Sequence, residues 1–468
     1  MQVYRAEIAS YQPLSKPESA PELPGGAIVD LAQKSVRLLL QFWGLDRAHF
    51  GTSDWNPIGD IIARGARVVL KPNWVLHCNK SGASLDCLIT HPSLIRAVAQ
   101  YAALTRPAEI TIGDAPIQGC NFAELSRNCS LPDIAAEIQN TFGVPCRIVD
   151  FRRTILSNDA TGWVRNENQR PESDYVLFDL ANRSLLEDFD WIDGQFRVTM
   201  YNPDCLNRTH SRGKHKYLVA REVMDADLVV NLPKLKTHMK AGVTGALKNL
   251  VGINGNKEYL PHHRKGGGDS GGDCYAGDSW LKFGAENMYD LANRSSNTGV
   301  QVLASRSAEI LVKVAAALGG DLNIEGAWYG NDTVWRMCLD LQRILRYGCS
   351  DGSFASEPQR KVLTVTDAII GGEGEGPLAN TPNPSGFLTA GMSTAAVEWV
   401  NCRLMGLDPQ KIPLVREAFG NFPLPVSDFR PSDIVVRINE EAWDPAKLLP
   451  LGRPFEAPQG WRGHCELT

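Results

Sequence analysis

Four short apolar segments, each followed at once by a cluster of polar residues, constrain this chain more than any other feature of its sequence. The segments are residues 67–70 (RVVL), 109–112 (EITI), 227–230 (DLVV) and 361–370 (KVLTVTDAII). Helical patterns, such as residues 92–104, lie between them, and strands that alternate with helices are typical of a parallel sheet. We therefore predict an α/β fold with a mixed, mainly parallel sheet flanked by helices, an irregular middle segment and a long glycine-rich insertion.

The ends of these four predicted strands define a candidate site. The polar clusters that follow them are KPNW, GDAP, residues 231–240 (NLPKLKTHMK) and residues 371–377 (GGEGEGP). In open α/β sheets, ligands bind beyond the carboxyl ends of the strands. We expect the four clusters to meet at one edge of the sheet, although each cluster on its own also fits an ordinary turn.

The chain is expected to form one main body with less regular ends. Residues 1–30 are rich in Pro, Ser and Glu and predict an extended leader. Residues 31–445 predict the α/β core, with a break into two subdomains near 150–215 left open. The high glycine content of residues 254–280 predicts an insertion outside the core. It would be either a lid or a flexible linker, because a long loop in a compact domain is usually a functional lid or a disordered segment. Residues 446–468 predict a Pro/Gly-rich tail.

The third polar cluster is the most unusual, because it holds three lysines and a histidine within seven residues. Residues 243–253 predict a helix directly after it, on which Thr244 and Lys248 share one face. Ammonium groups beside a helix N-terminus favour an anion, since free N–H groups and the helix dipole add to the positive charge. This cluster predicts a ligand with a carboxylate or phosphate, and a solvated basic surface is the alternative.

The leading hypothesis is an enzyme that acts on a small anionic metabolite. His238 is then the proton carrier near neutral pH, and Asp114 and Glu373 are acid/base or metal groups. The residues expected to bind the substrate are Lys71, Asn73, Lys234, Lys236, Thr237, Lys240, Thr244, Lys248, Asn249, His262, His263 and Arg264. Two alternatives stay open: a non-catalytic binding or cofactor-maturation protein, and a redox protein that uses Cys78 and Cys120.

No cofactor is specified by the sequence. Asp114, Glu373 and Glu375 offer the carboxylate oxygens that Mg²⁺ prefers, but their spacing is not diagnostic of any metal. The eleven cysteines include no CxxC pair, so an iron–sulfur cluster motif is missing. The fourth cluster, residues 371–377 (GGEGEGP), contains neither GxGxxG nor a P-loop pattern, which gives a dinucleotide or P-loop site at this loop no support.

The composition of the chain limits which classes of partner and which cellular compartment we expect for the protein. The 48 Lys and Arg residues are outnumbered by 53 Asp and Glu residues, so the basic excess of nucleic-acid-binding domains is missing. The first residues lack a signal-peptide pattern, and apolar runs fall well short of the ~20 residues that span a bilayer. Scattered cysteines are typical of reduced thiols. We therefore expect a cytoplasmic protein without nucleic-acid or membrane partners, its oligomeric state open.

Four stretches of the sequence resemble a known family. They are VVLKPNW, IGDAP, ADLVVNLPKLKTHMKAGVTGALKNLVGI and GGEGEGPL…AGMSTAAVEWVNCRLMGLDPQKIP, which span roughly residues 65–255 and 360–415. They resemble the bacterial and archaeal family called domain of unknown function 362. The resemblance implies no assigned biochemistry, and the ferredoxin-type modules that accompany many members are not implied here, because the cysteine run is missing. Ser393 stands where the family pattern has an acid, and only Glu398 keeps one, so a metal role of this segment is not implied.

Overall fold

The computed structural model of the chain describes residues 1–5, 11, 31–159, 162–167, 170–189, 192 and 194–468. The strands are β1 (Gln2–Arg5), β2 (Arg67–Pro72), β3 (Glu109–Asp114), β4 (Cys146–Asp150), β5 (Thr154–Asp159), β6 (Gly162–Glu167), β7 (Tyr175–Asp179), β8 (Phe196–Arg197), β9 (His210–Ser211), β10 (Lys214–Ala220), β11 (Leu228–Leu232), β12 (Lys234–His238), β13 (Gly242–Thr244), β14 (His263–Arg264), β15 (Lys361–Glu375), β16 (Ala379–Asn383), β17 (Phe387–Gly391), β18 (Val436–Ile438) and β19 (Glu441–Trp443). The helices are α1 (Leu31–Trp43), α2 (Pro92–Leu104), α3 (Phe122–Asn128), α4 (Leu131–Phe142), α5 (Pro203–Thr209), α6 (Arg221–Met224), α7 (Ala246–Asn249), α8 (Trp280–Arg294), α9 (Thr298–Ala317), α10 (Val334–Tyr347), α11 (Thr394–Met405) and α12 (Pro413–Arg416).

The main sheet has twelve strands and a parallel centre. Its central strands lie side by side in the order β15, β11, β2, β3, β4, and every pair among these neighbours is parallel. On the other side of β15, β17 pairs antiparallel and leads on to β1, β18 and β19. The predicted mixed, mainly parallel α/β sheet is confirmed, and the four apolar segments are strands of this one sheet.

The central strands form because their residues are apolar on both faces. All five residues of β11 are buried. Side chains alternate along a strand, so Val229 packs into the core on one face while Leu228 and Val230 pack into the core on the other. Strands covered on both faces are typical of parallel sheets whose crossover helices lie above and below them.

The helix between the first two predicted strands begins and ends where the sequence predicts. His91 precedes α2, and its Nδ1 atom accepts a hydrogen bond from the backbone N–H of Ser93 at 3.2 Å. Pro92 occupies the first helical position, where a missing N–H is tolerated. The crossover from β2 through α2 to β3 brings the carboxyl ends of both strands to the same edge.

The helix predicted over residues 243–253 is wrong. The chain first completes the β12–β13 hairpin, in which Lys236 pairs with Thr244, and only Ala246–Asn249 and the 3₁₀ turn Leu250–Ile253 are helical. Gly245 adopts φ −155° and ψ −137°, which interrupts any continuous helix. Thr244 and Lys248 therefore do not share a helix face.

Much of the glycine-rich segment 254–280 is buried in the core, contrary to the sequence prediction, while residues 268–271 within it are exposed. Asn254, Leu260 and Cys274 are each 0% exposed. Strand β14 pairs antiparallel with β8, and the backbone N–H of Lys265 donates to the carbonyl of Gln195 at 2.9 Å. The segment is thus fixed to the body of the protein by regular backbone bonding.

The two ends of the chain also contact the core. Gln2–Arg5 form β1, and residues 6–10 and 12–30 of the predicted leader lie outside the described residues. In the predicted tail, Phe455, Trp461 and Cys465 are buried. Strands β5 to β10, in the region where a subdomain break was left open, belong to small sheets beside the main one. The described helices include none that is both long and apolar enough to cross a membrane.

We predict that Gly372→Ala lowers the free energy of unfolding by about 1–3 kcal/mol, because the added methyl overpacks the β12–β15 contact. A Cβ atom at this position would lie 2.3 Å from the carbonyl oxygen of Cys87 and 2.9 Å from Cβ of Lys236. The matched control is Gly284→Ala within α8, whose Cβ atom would meet only Leu311 at 3.4 Å. That control gains about 0.5–1 kcal/mol of stability, since Ala favours a helix over Gly. Urea unfolding measures the free energy of unfolding of both variants. Equal stability of the two variants would contradict the close approach of Gly372 to Cys87 and Lys236.

Candidate functional site

A cavity of about 420 Å³ opens at the carboxyl ends of the parallel strands. Each of the four polar clusters contributes to its wall. The predicted site residues that line it are Lys71, Asn73, Asp114, Lys236, His238, Lys240, Thr244, Lys248, Asn249 and His262, and Pro377 and Leu378 close it on the side of the fourth cluster. Parallel pairing of β15, β11, β2 and β3 is what brings these distant residues together.

The cavity wall is rich in positive charge. Six lysines line it, and the lining carboxylates are Asp114 and Glu325. Lys71 pairs with Asp114 at 2.7 Å. Lys80, Lys236, Lys240, Lys248 and Lys257 take part in none of the ion pairs found within the described residues. The cavity therefore has a surplus of ammonium groups over carboxylates.

Lys71 and Asp114 form a closed polar network at the base of the cavity. Beyond the ion pair, Lys71 donates to Oδ1 of Asn249 at 2.7 Å, and Asp114 accepts from the backbone N–H of Trp74 at 2.7 Å. A Cβ atom at Gly252 would lie 1.9 Å from Asp114, so only glycine lets this backbone lie against the pair. The network holds β2, β3 and the turn after α7 in one arrangement.

Lys236 is the most unusual of the cavity lysines. It is 0% exposed, and its ammonium donates to two neutral carbonyls, that of Leu88 at 2.5 Å and that of Pro377 at 3.4 Å. Burial, together with the nearby charge of Lys234, lowers the pKa of Lys236 well below its ordinary range. A buried ammonium without a carboxylate is costly, and an anionic ligand would supply the missing charge.

Two further lysines have neutral hydrogen-bond partners. Lys240 donates to Oγ1 of Thr199 at 3.0 Å, and Lys257 donates to the carbonyl of Ala115 at 3.2 Å. Burial lowers the pKa of Lys257 to about 7, so its charge changes close to neutral pH. Burial also lowers the pKa of Lys240. Neither ammonium group has a carboxylate as its hydrogen-bond partner within the described residues.

The two cavity histidines are held in opposite tautomers by the backbone. Nδ1 of His238 accepts from the N–H groups of Lys240 at 3.0 Å and Ala241 at 3.2 Å, so its ring proton lies on Nε2. Nδ1 of His262 contacts the carbonyl of Leu260 at 2.7 Å and must donate to it, which leaves a lone pair on Nε2.

Burial and nearby lysines, with Lys248 the strongest of these, lower the pKa of His238 and of His262 well below the usual value. His238 is therefore a neutral hydrogen-bond donor. This environment does not support the prediction that His238 carries a proton near neutral pH. Nε2 of His262 keeps a lone pair that can accept a hydrogen bond, but its lowered pKa makes it a weak base near neutral pH.

Two residues of the third cluster serve the fold and do not line the cavity. Lys234 is 0% exposed, pairs with Asp367 at 2.7 Å and donates to the hydroxyl of Tyr11 at 2.7 Å. Thr237 donates to the carbonyl of Gly374 at 2.8 Å. Their predicted role in substrate binding is not supported, because the side chains are already paired within the sheet.

The acidic residues of the fourth cluster lie away from the cavity. Glu373 pairs with Arg453 and accepts from Nδ2 of Asn383 at 2.8 Å. Glu375 accepts from the backbone N–H of Gln459 at 2.7 Å. The sequence predicts Glu373 as an acid/base group and Asp114, Glu373 and Glu375 as a magnesium set, but the structure does not bring them together, because β15 continues through the cluster and carries them past the site.

His263 and Arg264 also lie outside this cavity. His263 lines a separate, smaller cavity, and the Arg264 guanidinium lies 3.8 Å from the centre of the Phe189 ring. Cys120, one of the two cysteines of the redox alternative, is buried, and burial raises the pKa of its thiol to about 12, which disfavours the reactive thiolate. Cys78 is exposed.

Sequence reasoning missed several polar residues of the cavity wall, among them Lys80, Lys257, Glu325 and Thr199. Lys257 lies in the segment that was expected outside the core. Glu325 adopts a positive φ of 59° in a loop, and Thr199 follows the two-residue strand β8. The only signal in the sequence that could have indicated Lys257 as a site residue was its positive charge, in a segment rich in polar residues.

Fold and site together define an α/β protein with a lysine-rich cavity at the carboxyl edge of its sheet. The family model described as a domain of unknown function (DUF362) matches residues 194–403, which confirms the resemblance over that stretch. Among curated proteins, a thylakoid-associated protein, sll1697, from Synechocystis sp. (strain ATCC 27184 / PCC 6803 / Kazusa) is 25% identical over 356 residues, which cover 76% of this chain and 68% of that protein.

A solved structure of a Thermotoga maritima protein is a weaker match. It is 10% identical, with a TM-score of 0.26, over 70% of this chain and 51% of that chain. This chain thus spans about half the length of that protein, and the likeness supports no argument about fold or function.

We predict that Lys234→Ala lowers the free energy of unfolding by about 3–5 kcal/mol, because it leaves the Asp367 carboxylate buried without its counter-charge. Both side chains are 0% exposed. Lys313→Ala, on the exposed face of α9, is the control and changes stability by less than about 0.5 kcal/mol. Chemical unfolding of the two variants checks the difference, and a Lys234 variant as stable as the control would show that the pair contributes nothing.

Proposed function

We propose that the chain is an enzyme that acts on a small organic anion, a carboxylated or phosphorylated metabolite, in the cavity at the carboxyl edge of its sheet. One observation carries this proposal. Lys236, Lys240, Lys248 and Lys257 line one cavity, and none of them is in an ion pair within the described residues.

The chemistry of the wall supports an organic ligand over a bare inorganic ion. Ammonium groups form strong, charge-assisted hydrogen bonds with carboxylates and phosphates. Val75, Ile117, Val251, Met239 and Leu378 line the same cavity and offer apolar surface to a carbon skeleton. Ligand sites usually combine mostly apolar walls with a few converging polar groups. A metabolite with an anionic end and an apolar portion fits both parts.

The histidines support a catalytic role beyond binding. Nε2–H of His238 is suited to donate a hydrogen bond, and the Nε2 lone pair of His262 is suited to take a proton from the substrate once a bound anion raises its lowered pKa. Lysines around them would stabilise negative charge that develops on the substrate when the proton leaves. A non-catalytic protein that presents the same anion to a partner is the alternative, and measured turnover separates the two.

We also propose that the protein works in the cytoplasm. All eleven cysteines lie among the described residues and are free, which fits a reducing compartment. The curated relative is named for association with thylakoids, so attachment to a membrane surface is the competing location. Fractionation of cells into soluble and membrane fractions decides between them.

We predict that Lys236→Ala and Lys240→Ala each weaken anion binding about 10- to 150-fold, because each removes a charge-assisted hydrogen bond of about 1.5–3 kcal/mol. Citrate and inorganic phosphate are the probes, titrated by calorimetry. Lys236→Arg restores binding only in part, since a planar guanidinium does not replace a compact ammonium. Native mass spectrometry of protein taken directly from cells is expected to show a co-purified anion in wild type and its loss in both alanine variants.

Lys313→Ala makes the same change of charge on the surface of α9 and is expected to bind both probes like wild type. Equal affinities for wild type and both cavity variants would reject the anion site. Equal losses in all three variants would show that only the net charge of the protein matters.

We predict that anion binding takes up a proton above neutral pH. The pKa of Lys257 in the free protein is about 7, below its ordinary value of 10.5, because of burial. An anion favours the charged form and raises this pKa, so affinity is constant below about pH 7 and falls as the pH rises above it. Calorimetry with sulfate, in buffers that differ in ionisation enthalpy, measures the proton uptake.

Lys236, His238 and His262 face the same cavity, so the uptake is assigned by comparing variants. Lys257→Gln is expected to lose the part of the uptake seen near pH 8, and Lys313→Gln is expected to keep it. Uptake that is identical in the Lys257 variant and wild type would assign the effect to the other groups.

A further inference from the structure

A second cluster of polar side chains lies behind the wall of the main cavity. One ring nitrogen of His263, Sγ of Cys274 and one carboxylate oxygen of Glu286 all lie within 4.8 Å of one another, and all three residues are buried. They come from different elements: β14, the loop that follows it, and α8. A space of about 20 Å³ adjoins them, which is enough for roughly one water molecule.

The hydrogen bonding of His263 is incomplete within the described structure, whereas the side chains of Cys274 and Glu286 bond to each other. Nδ1 of His263 is buried without a hydrogen-bond partner, and the residue is only 3% exposed. A buried polar atom of this kind is rare in native proteins and calls for an explanation such as a bound ion. The unpartnered nitrogen therefore points to a ligand.

The Glu286 carboxylate also lacks a cation of its own. It accepts two bonds of 3.1 Å from the backbone N–H of Gly266. The neighbouring cations Arg197 and Lys265 are paired with Asp290, at 2.7 Å and 2.8 Å. Among the ion pairs of the described residues none includes Glu286, so this buried acid has room for a further positive charge.

We propose that His263, Cys274 and Glu286 bind a divalent transition metal ion, with zinc as the preferred one. Imidazole nitrogen, thiolate sulfur and carboxylate oxygen are the donor atoms that zinc takes in proteins. The thiol proton is released to solvent on binding, and the thiolate and carboxylate then neutralise the two charges of the ion. Three protein ligands with a small adjoining space leave the fourth position for water.

The groups around the donors hold them in place. The backbone N–H of Glu325 donates to Sγ of Cys274 at 3.1 Å, and Gly266 holds the Glu286 carboxylate. A Cβ atom at Gly326 would lie 2.9 Å from Cβ of His263, so glycine is needed for this packing. Contacts of this kind orient the ligands of a metal ion and are typical of metal sites in proteins.

The metal would fix one wall of the main cavity. Val198, Thr199 and Glu325 line both cavities, and His262 directly precedes the proposed ligand His263. The ion would tie β14 and its loop to α8, so residues 254–280 would be pinned against the core. This role is independent of which anion the main cavity binds.

The test uses the full chain and measures metal directly. Elemental analysis of the purified protein is expected to find about one zinc per chain. After chelation, titration with Co²⁺ is expected to saturate at one equivalent and to produce a thiolate-to-cobalt charge-transfer band in the near ultraviolet. Cys274→Ser is expected to lose the band. It should weaken binding at least about 100-fold, since loss of a supporting contact alone costs about 10- to 100-fold.

Cys129→Ser is the matched control, because Cys129 is buried at the end of α3, outside the cluster, and should leave cobalt binding unchanged. Glu286→Gln keeps the volume of the side chain and removes its charge, and it should weaken binding even where Cys274→Ser fails to fold. Wild-type protein that binds no stoichiometric cobalt would overturn the proposal. So would a Glu286 variant, folded by circular dichroism, that binds cobalt like wild type.

Discussion

Parallel pairing of β15, β11, β2 and β3 is the constraint on which the rest of the structure depends. Leu228 lies opposite Val68 on one side and Lys361 on the other, and Val68 lies opposite Ile110. Strands in this register end together, so the residues that follow them meet although they are far apart in sequence. The 2.7 Å ion pair between Lys71 and Asp114 forms directly across the ends of β2 and β3. A cavity at this edge follows from the pairing of the strands before any ligand is considered.

Charge pairing divides the lysines of this edge into two groups. Lys71 and Lys234 are neutralised by Asp114 and Asp367, so they hold the strands together. Lys236 is equally buried, but its partners are the neutral carbonyls of Leu88 and Pro377. Lys234 lies opposite Asp367 and Lys236 lies opposite Gly372, because the register of β12 against β15 shifts between them, so the two side chains meet different neighbours. The difference in function that we propose comes from these neighbours, because the two side chains are chemically identical.

The sequence predicted those features that a local pattern encodes. Four of the five strands of the parallel centre, and the bounds of α2, follow from apolar periodicity and from the proline after His91. The position of Lys234 beside Asp367 could not be predicted, because no local signal reports a partner more than a hundred residues away. Residues 254–280 were misjudged because glycine and polar residues are typical of loops, whereas here close backbone approach requires the glycines. A Cβ atom at Gly267, for example, would lie 1.9 Å from the carbonyl oxygen of Gly277. The cluster of His263, Cys274 and Glu286 could not be predicted either, because the spacing of these residues in the sequence matches no metal-binding motif.

Strand β14 and the residue before it connect the two proposed sites. His262 lines the main cavity and His263 lines the smaller one, as expected for consecutive residues of an extended chain. Their register is fixed by backbone bonds to the β8 region, in which His262 donates to Arg197 at 2.8 Å and Lys265 donates to Gln195 at 2.9 Å. A slip of one residue would exchange the two side chains and remove a proposed proton acceptor and a proposed metal ligand at once. An ion held by His263 would therefore keep His262 in place without contacting the substrate. The two proposals remain separable, because cobalt binding reports on one cavity and anion binding on the other.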